Sequence, residues 1–129
     1  MSVKITGLAA LYKKLDAAAA TKTLEAPMSR AVYLIQAAMQ NYPPAPADST
    51  YVRTGTYGRR WTTKITRAVN GISGRVGNNT RYAPWVGSQM FQTGTHRRTG
   101  WPTDAGAVAA NQGDILADFQ EAIDRALAS

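Results

Sequence analysis

The stretch WTTKITRAVNGISGRVGN, Trp61–Asn78, decides the fold. Its apolar residues recur with period two, the spacing of a strand that buries one face. Asn70-Gly71 sits between two such runs, and both residue types tolerate positive φ, which makes the pair the strongest short-range hairpin signal. Pairing Val69 with Ile72 sets Arg67 opposite Gly74, Ile65 opposite Val76 and Thr63 opposite Asn78. One face then carries Val69, Ile72, Ile65 and Val76, extended by Trp61, and the other carries Thr62, Lys64, Thr66, Ser73 and Arg75. Both strands agree on which face is apolar, as a one-sided antiparallel sheet packed on helices requires. Arg67 is the exception, placed at the rim of the apolar face.

The flanking segments supply the helices. After a short apolar start (Val3, Ile5), Leu8, Leu11, Tyr12 and Leu15 fall at helical spacing, predicting a first helix that runs to the alanines at 17–20. Leu24, Met28, Ala31, Val32, Ile35 and Met39 form the apolar stripe of a second, with Ser29, Tyr33, Gln36 and Gln40 on its other side. Pro27 suits the first turn of that helix, where its missing N–H costs nothing. The prolines of YPPAPADST, residues 42–50, predict a connecting loop within one domain. Near the C-terminus, Thr103 is a candidate N-cap. A helix is expected from about Asp114, with Leu116, Phe119, Ile123 and Leu127 as its apolar stripe. Gly106 and Gly113 leave open whether residues 104–129 form one helix or two. The expectation is a single α+β domain over residues 1–129: N-terminal helices on a small antiparallel sheet with an Asn-Gly hairpin, a long basic loop and a C-terminal helix.

Composition narrows the function. The chain of 129 residues is 44% hydrophobic, which suits one folded domain with a core. With no cysteine, disulfides and thiolate metal sites are excluded, and a reducing cytosol is an acceptable place of synthesis. No secretory signal is expected at the N-terminus, and no window approaches the roughly 18 apolar residues of a membrane span, so no membrane partner is expected. Charge is unevenly spread: residues 49–103 hold nine bases and no acids, whereas residues 104–129 hold one base and five acids. A basic middle with an acidic tail can bind a polyanion or pair head-to-tail with another copy, and a solvated basic face with no partner is the plain alternative.

The middle ends in RYAPWVGSQMFQTGTHRRTGWPT, residues 81–103, which holds the one histidine, two of the three tryptophans and three arginines. Arg59, Arg60, Lys64, Arg81, Arg97 and Arg98 interleave with Trp61, Tyr82, Trp85 and Trp101, as phosphate contact plus base stacking would require. Arginine beside aromatics is equally the signature of a protein interface. A catalytic reading finds little: a single histidine, no thiol, no converging acids for a two-metal site, and glycines without the Walker spacing. No enzyme and no cofactor are expected.

Three segments carry a family resemblance. Arg53-Thr54-Gly55-Thr56-Tyr57 followed by Arg60-Trp61 resembles the R-T-G-x-L element of small neck and tail-completion proteins of long-tailed bacteriophages. Tyr82-Ala83-Pro84-Trp85-Val86-Gly87 is similar to their Y-A-P-Y-V-x-G signature, and His96 with Gly100-Trp101 to the histidine and Gly-Trp that close the loop in one branch. The order of elements also fits, over most of the chain. Tyr57 stands where leucine is usual, and Ser88-Gln89 where acidic residues or glutamine are frequent.

The resemblance implies a non-enzymatic virion protein, assembled in the host cytoplasm, that forms a ring at the head–tail junction and joins the head connector to the tail tube. A tail terminator or a head-closure ring is the alternative within that class, and a basic nucleic-acid-binding module the alternative outside it. Partners would be further copies in a six-fold or twelve-fold ring, the adjoining connector and tail-tube or terminator layers, and genome DNA passing through the lumen. Arg81, Tyr82, Trp85, Val86, Met90, Phe91, His96, Arg97, Arg98 and Trp101 would form the docking loop, with plain core packing the alternative for Tyr82 and Trp101. Thr54, Gly55, Trp61, Asn70 and Gly71 would be motif and structural positions, and Gly87, Gly94 and Gly100 would permit the loop's bends. Asp114, Asp118 and Glu121 would present an acidic face to a partner.

Overall fold

The computed structural model describes residues 2–5, 17–44, 55–68 and 71–128. In chain order the elements are β1 (Ser2–Ile5), α1 (Ala17–Gln40), α2 (Thr56–Arg59), β2 (Trp61–Ala68), β3 (Gly71–Asn78), α3 (Ala83–Gly87), α4 (Gly94–Arg98) and α5 (Asp104–Ala128). The fold is α+β: helices pack on a small antiparallel sheet, and a long C-terminal helix completes the domain.

The sheet has three strands in the order β1-β3-β2, all antiparallel, so β3 is central. The apolar start therefore forms a strand, with Val3 beside Gly74 and Ile5 beside Ile72. The hairpin face is as expected: Ile72, Gly74 and Val76 of β3 are buried, and Trp61, Thr63 and Ile65 of β2 are half-buried beside them. The register differs from the expected one by two residues. Ile65 pairs with Gly74, Arg67 with Ile72 and Ala68 with Gly71, which leaves residues 69 and 70 between the paired ends. Val69 and Asn70 lie outside the described residues. Because side chains alternate with period two, a two-residue slip keeps every side chain on its face, and the apolar pattern is blind to it. Arg67 does sit at the rim, where it forms an ion pair with Glu25 of α1.

The predicted second helix and the alanine run are one helix, α1, with Pro27 in its interior rather than its first turn. An interior proline costs about 3 kcal/mol. It is tolerated because the stripe continues N-terminally through Leu24 to Ala20, both fully buried. Burying each large aliphatic side chain contributes roughly 1.5–3 kcal/mol, so the shared core outweighs the missing hydrogen bond. Leu24, Met28, Ala31, Val32, Ile35 and Met39 are all buried, as their spacing required. Met28 and Val32 lie over Gly74, where a Cβ would come within 2.4 Å of Val32 Cγ1. Leu8, Leu11, Tyr12 and Leu15, and most of the proline loop, lie outside the described residues.

The C-terminal segment is one helix that starts at Asp104, ten residues before the expected position. Thr103 is its N-cap: the Thr103 hydroxyl accepts from the Gly106 N–H at 3.1 Å. The buried stripe is Ala107, Ile115 and Phe119, with Ile123 packed alongside. Ile115 takes the place expected of Leu116, which is 55% exposed, and Leu127 is exposed as well. The fixed rotation brings Asp118 against α1, where Arg30 Nε and Nη2 donate to its two carboxylate oxygens at 2.7 and 2.8 Å. Asp118 is thus an intramolecular partner and not part of a free acidic face.

Candidate functional site

The segment between the hairpin and α5 contains two short helices, α3 and α4, rather than one continuous loop. Pro84 suits the start of α3, and Thr93 caps α4, its hydroxyl accepting from the His96 N–H at 3.4 Å. Gln92 holds the two together. Its buried amide donates to the Val86 carbonyl at 2.8 Å and to the Trp101 carbonyl at 3.1 Å. The Thr93 N–H donates to the Trp85 carbonyl at 2.9 Å. Sequence reasoning misses Gln92, because a lone glutamine in a polar stretch carries no signal of burial.

Both ends of the segment are anchored. Trp101 stacks on Tyr42, with centroids 4.5 Å apart and planes inclined by 3°. The His96 and Trp101 rings meet in a T-shaped pair at 5.0 Å, and His96 Nδ1 lies 2.6 Å from the Thr93 hydroxyl. Tyr57 of α2 is buried at the hub of this cluster, with Trp61 edge-on at 5.4 Å and Tyr82 at 6.4 Å. Burial first, and then the neighbouring Tyr42 and Tyr82, push the Tyr57 phenol up to about 12. Gly87 passes so close that a Cβ would lie 2.6 Å from Tyr57 Oη. Gly100, at φ 81°, turns the chain into Trp101. Neither Gly87 nor Gly94 has positive φ, so of the three expected bend glycines Gly100 alone supplies a left-handed turn. At the far end, Asp104 Oδ1 accepts from the Gln89 N–H at 2.9 Å, and the Thr103 hydroxyl donates to Gln89 Oε1 at 2.7 Å.

On this scaffold three large apolar side chains point outward: Trp85, Met90 and Phe91 are 52%, 79% and 52% exposed. Trp85 and Phe91 meet edge-to-face at 5.8 Å. Beside them a groove of about 770 Å³ runs between residues 88–91 and the first turns of α5, lined by Met90, Phe91, Ala105, Val108 and Ala109. Exposed Leu116 lies further along α5. Clustered aromatic and methionine side chains on a held backbone are the composition of an interface core rather than of a solvated loop.

The expected docking residues therefore divide. Trp85, Met90 and Phe91 form the exposed shelf, with Tyr82 half in the aromatic cluster and half in solvent. Val86 is buried and unavailable for docking, because it faces the core behind the shelf. His96 and Trp101 are half-buried and serve as anchors. Arg81, Arg97 and Arg98 are exposed, with no carboxylate within 4.0 Å among the described residues. Arg97 Nη2 reaches the Gln92 carbonyl at 3.4 Å. Gly55 caps α2 at φ 76°, Trp61 packs against the core, Gly71 opens β3, and Thr54 and Asn70 lie outside the described residues. Of the acidic set, Asp114 is exposed, Glu121 pairs with Arg125 at 2.8 Å and Asp118 is held by Arg30.

Among the described residues no three His, Asp or Glu side chains converge on a metal site, and no helix is long and apolar enough to cross a membrane. No family model matches the chain, and neither a curated protein nor a solved structure resembles it significantly.

Proposed function

We propose that the protein is a structural component of a bacteriophage head–tail junction, of the tail-completion kind, in which copies form a ring between connector and tail tube. The observation that carries this reading is the shelf of Trp85, Met90 and Phe91, held outward by the buried Gln92 hydrogen bonds and the Trp101–Tyr42 stack. The order of the motifs along the chain supports the same reading. A ring subunit needs complementary, head-to-tail surfaces that differ from one another. The shelf and the groove beside it supply one such surface, and the exposed acid Asp114 another feature outside it. A tail terminator or head-closure layer would use the same surface. The deciding experiment is electron microscopy of phage carrying Trp85→Ala: separated full heads and finished tails support the proposal, and normally joined virions overturn it.

A further inference from the structure

The face of the sheet turned away from α1 has a chemistry unlike that of the shelf. Thr62, Lys64 and Thr66 of β2 and Arg75 of β3 are exposed on it, and Ser73 and Gly77 are half-exposed between them. It presents hydroxyls, bare backbone and two cations, with no large apolar side chain among the described residues, a composition unlike the apolar core of a protein interface.

Lys64 and Arg75 are direct cross-strand partners. Like charges set directly opposite one another destabilise a sheet pair. Neither has a carboxylate within 4.0 Å among the described residues, and residues 49–103 contain no acid to supply one. A lysine on an edge strand is a common guard against strand-to-strand aggregation, and β2 is an edge. That explanation does not reach Arg75, which lies on the central strand. In the register of β1, Ser2 pairs with Arg75 and Lys4 with Ser73.

Gly77 adds an independent observation. A Cβ there would meet nothing nearer than Thr62 Oγ1 at 3.9 Å, and its φ is not positive, so neither packing nor backbone geometry requires glycine. Its effect is to keep the surface flat beside the paired cations, so that a bulky ligand can approach the backbone.

From this juxtaposition we infer that the outer sheet face binds the phosphate backbone of double-stranded DNA without reading its sequence. Lys64 and Arg75 neutralise adjacent phosphates, while Thr62, Thr66 and Ser73 donate hydroxyl hydrogen bonds to phosphate oxygens. DNA is favoured over an acidic protein surface because the face offers no apolar contact, and backbone binding requires none. The inference stands apart from the junction assignment: its failure leaves the Trp85 shelf untouched, and the converse also holds.

The test is fluorescence anisotropy of two duplexes of unrelated sequence, titrated with wild-type protein and with a Lys64→Gln, Arg75→Gln variant across a salt series. Wild type is expected to bind both duplexes equally. The variant is expected to lower the slope of log affinity against log salt by about 2, near 0.9 for each phosphate that is no longer neutralised. Unchanged circular dichroism and unchanged oligomer mass in native mass spectrometry would place the effect on DNA binding. Failure of wild type to bind either duplex at low salt overturns the inference, as does a variant with an unaltered slope. A variant that keeps DNA binding but changes oligomer mass also overturns it, because the face would then dock an acidic surface of another copy.

Discussion

Trp101 lies flat on Tyr42, ring planes 3° from parallel and centroids 4.5 Å apart, so the end of the segment 81–103 is fastened to the chain just beyond α1. The stack joins residues 59 positions apart in sequence and closes the segment against the domain. Trp101→Ala should cost about 2–4 kcal/mol, toward the low end of large-to-small core changes because the indole is half-buried. Trp101→Phe should restore most of it. Urea unfolding followed by circular dichroism measures both.

The groove between α1 and β3 is a second close approach. A Cβ on Gly74 would lie 2.4 Å from Val32 Cγ1 and 2.7 Å from Met28 Sδ. Gly74→Ala should therefore destabilise by about 1–3 kcal/mol through overpacking. Adding Val32→Ala should recover part of that cost, since the two changes share one space. A double-mutant cycle reads the coupling directly, and additive effects would contradict the close approach.

The Tyr57 phenol, pushed up to about 12 by burial and by Tyr42 and Tyr82, sets an alkaline limit on stability. The folded chain holds this proton more tightly than the unfolded chain, whose tyrosines titrate near 10. Its contribution is complete below pH about 10 and is lost as pH rises toward 12. Stability measured between these limits should fall more steeply in the wild type than in Tyr57→Phe.

Arg30 holds the Asp118 carboxyl below the ordinary carboxylate range, chiefly by hydrogen bonding. The sign is opposite to that of Tyr57: this contribution is present above the unfolded value of about 3.9 and disappears as pH falls through the lowered folded value. The pair is exposed and screened, so its effect should be small and should shrink with added salt. Asp118→Asn should flatten the acid limb of the stability profile without moving the neutral value far.

Trp85 is half-exposed and makes its principal ring contact with Phe91, so Trp85→Ala should leave the unfolding midpoint of the isolated chain nearly unchanged. In assembly the same change should cost more than about 2 kcal/mol per interface, roughly thirtyfold in affinity. Native mass spectrometry of wild type and variant separates the two effects. Loss of folding in the variant would instead make Trp85 a core residue.

Local alternation and local helical spacing determined the faces of the hairpin, the buried stripe of α1 and the N-cap at Thr103, because these periods arise within one element and need no knowledge of what it meets. Tertiary structure alone decided what depends on a neighbour. The hairpin register is invisible to a two-residue slip, and β3 is paired on both sides. Pro27 reads as a helix start until Ala20 and Leu24 are seen buried in the same core. Ile115 and Leu116 differ by about 100° around the helix axis, and both are apolar. Only packing against α1, with Arg30 gripping Asp118, decides that Ile115 turns inward. In the segment 81–103, composition marked the aromatics and arginines but could not divide anchors from shelf. Trp101 and Trp85 are the same residue type in the same basic run, and they part because Tyr42, distant in sequence, stands where it can cover one of them.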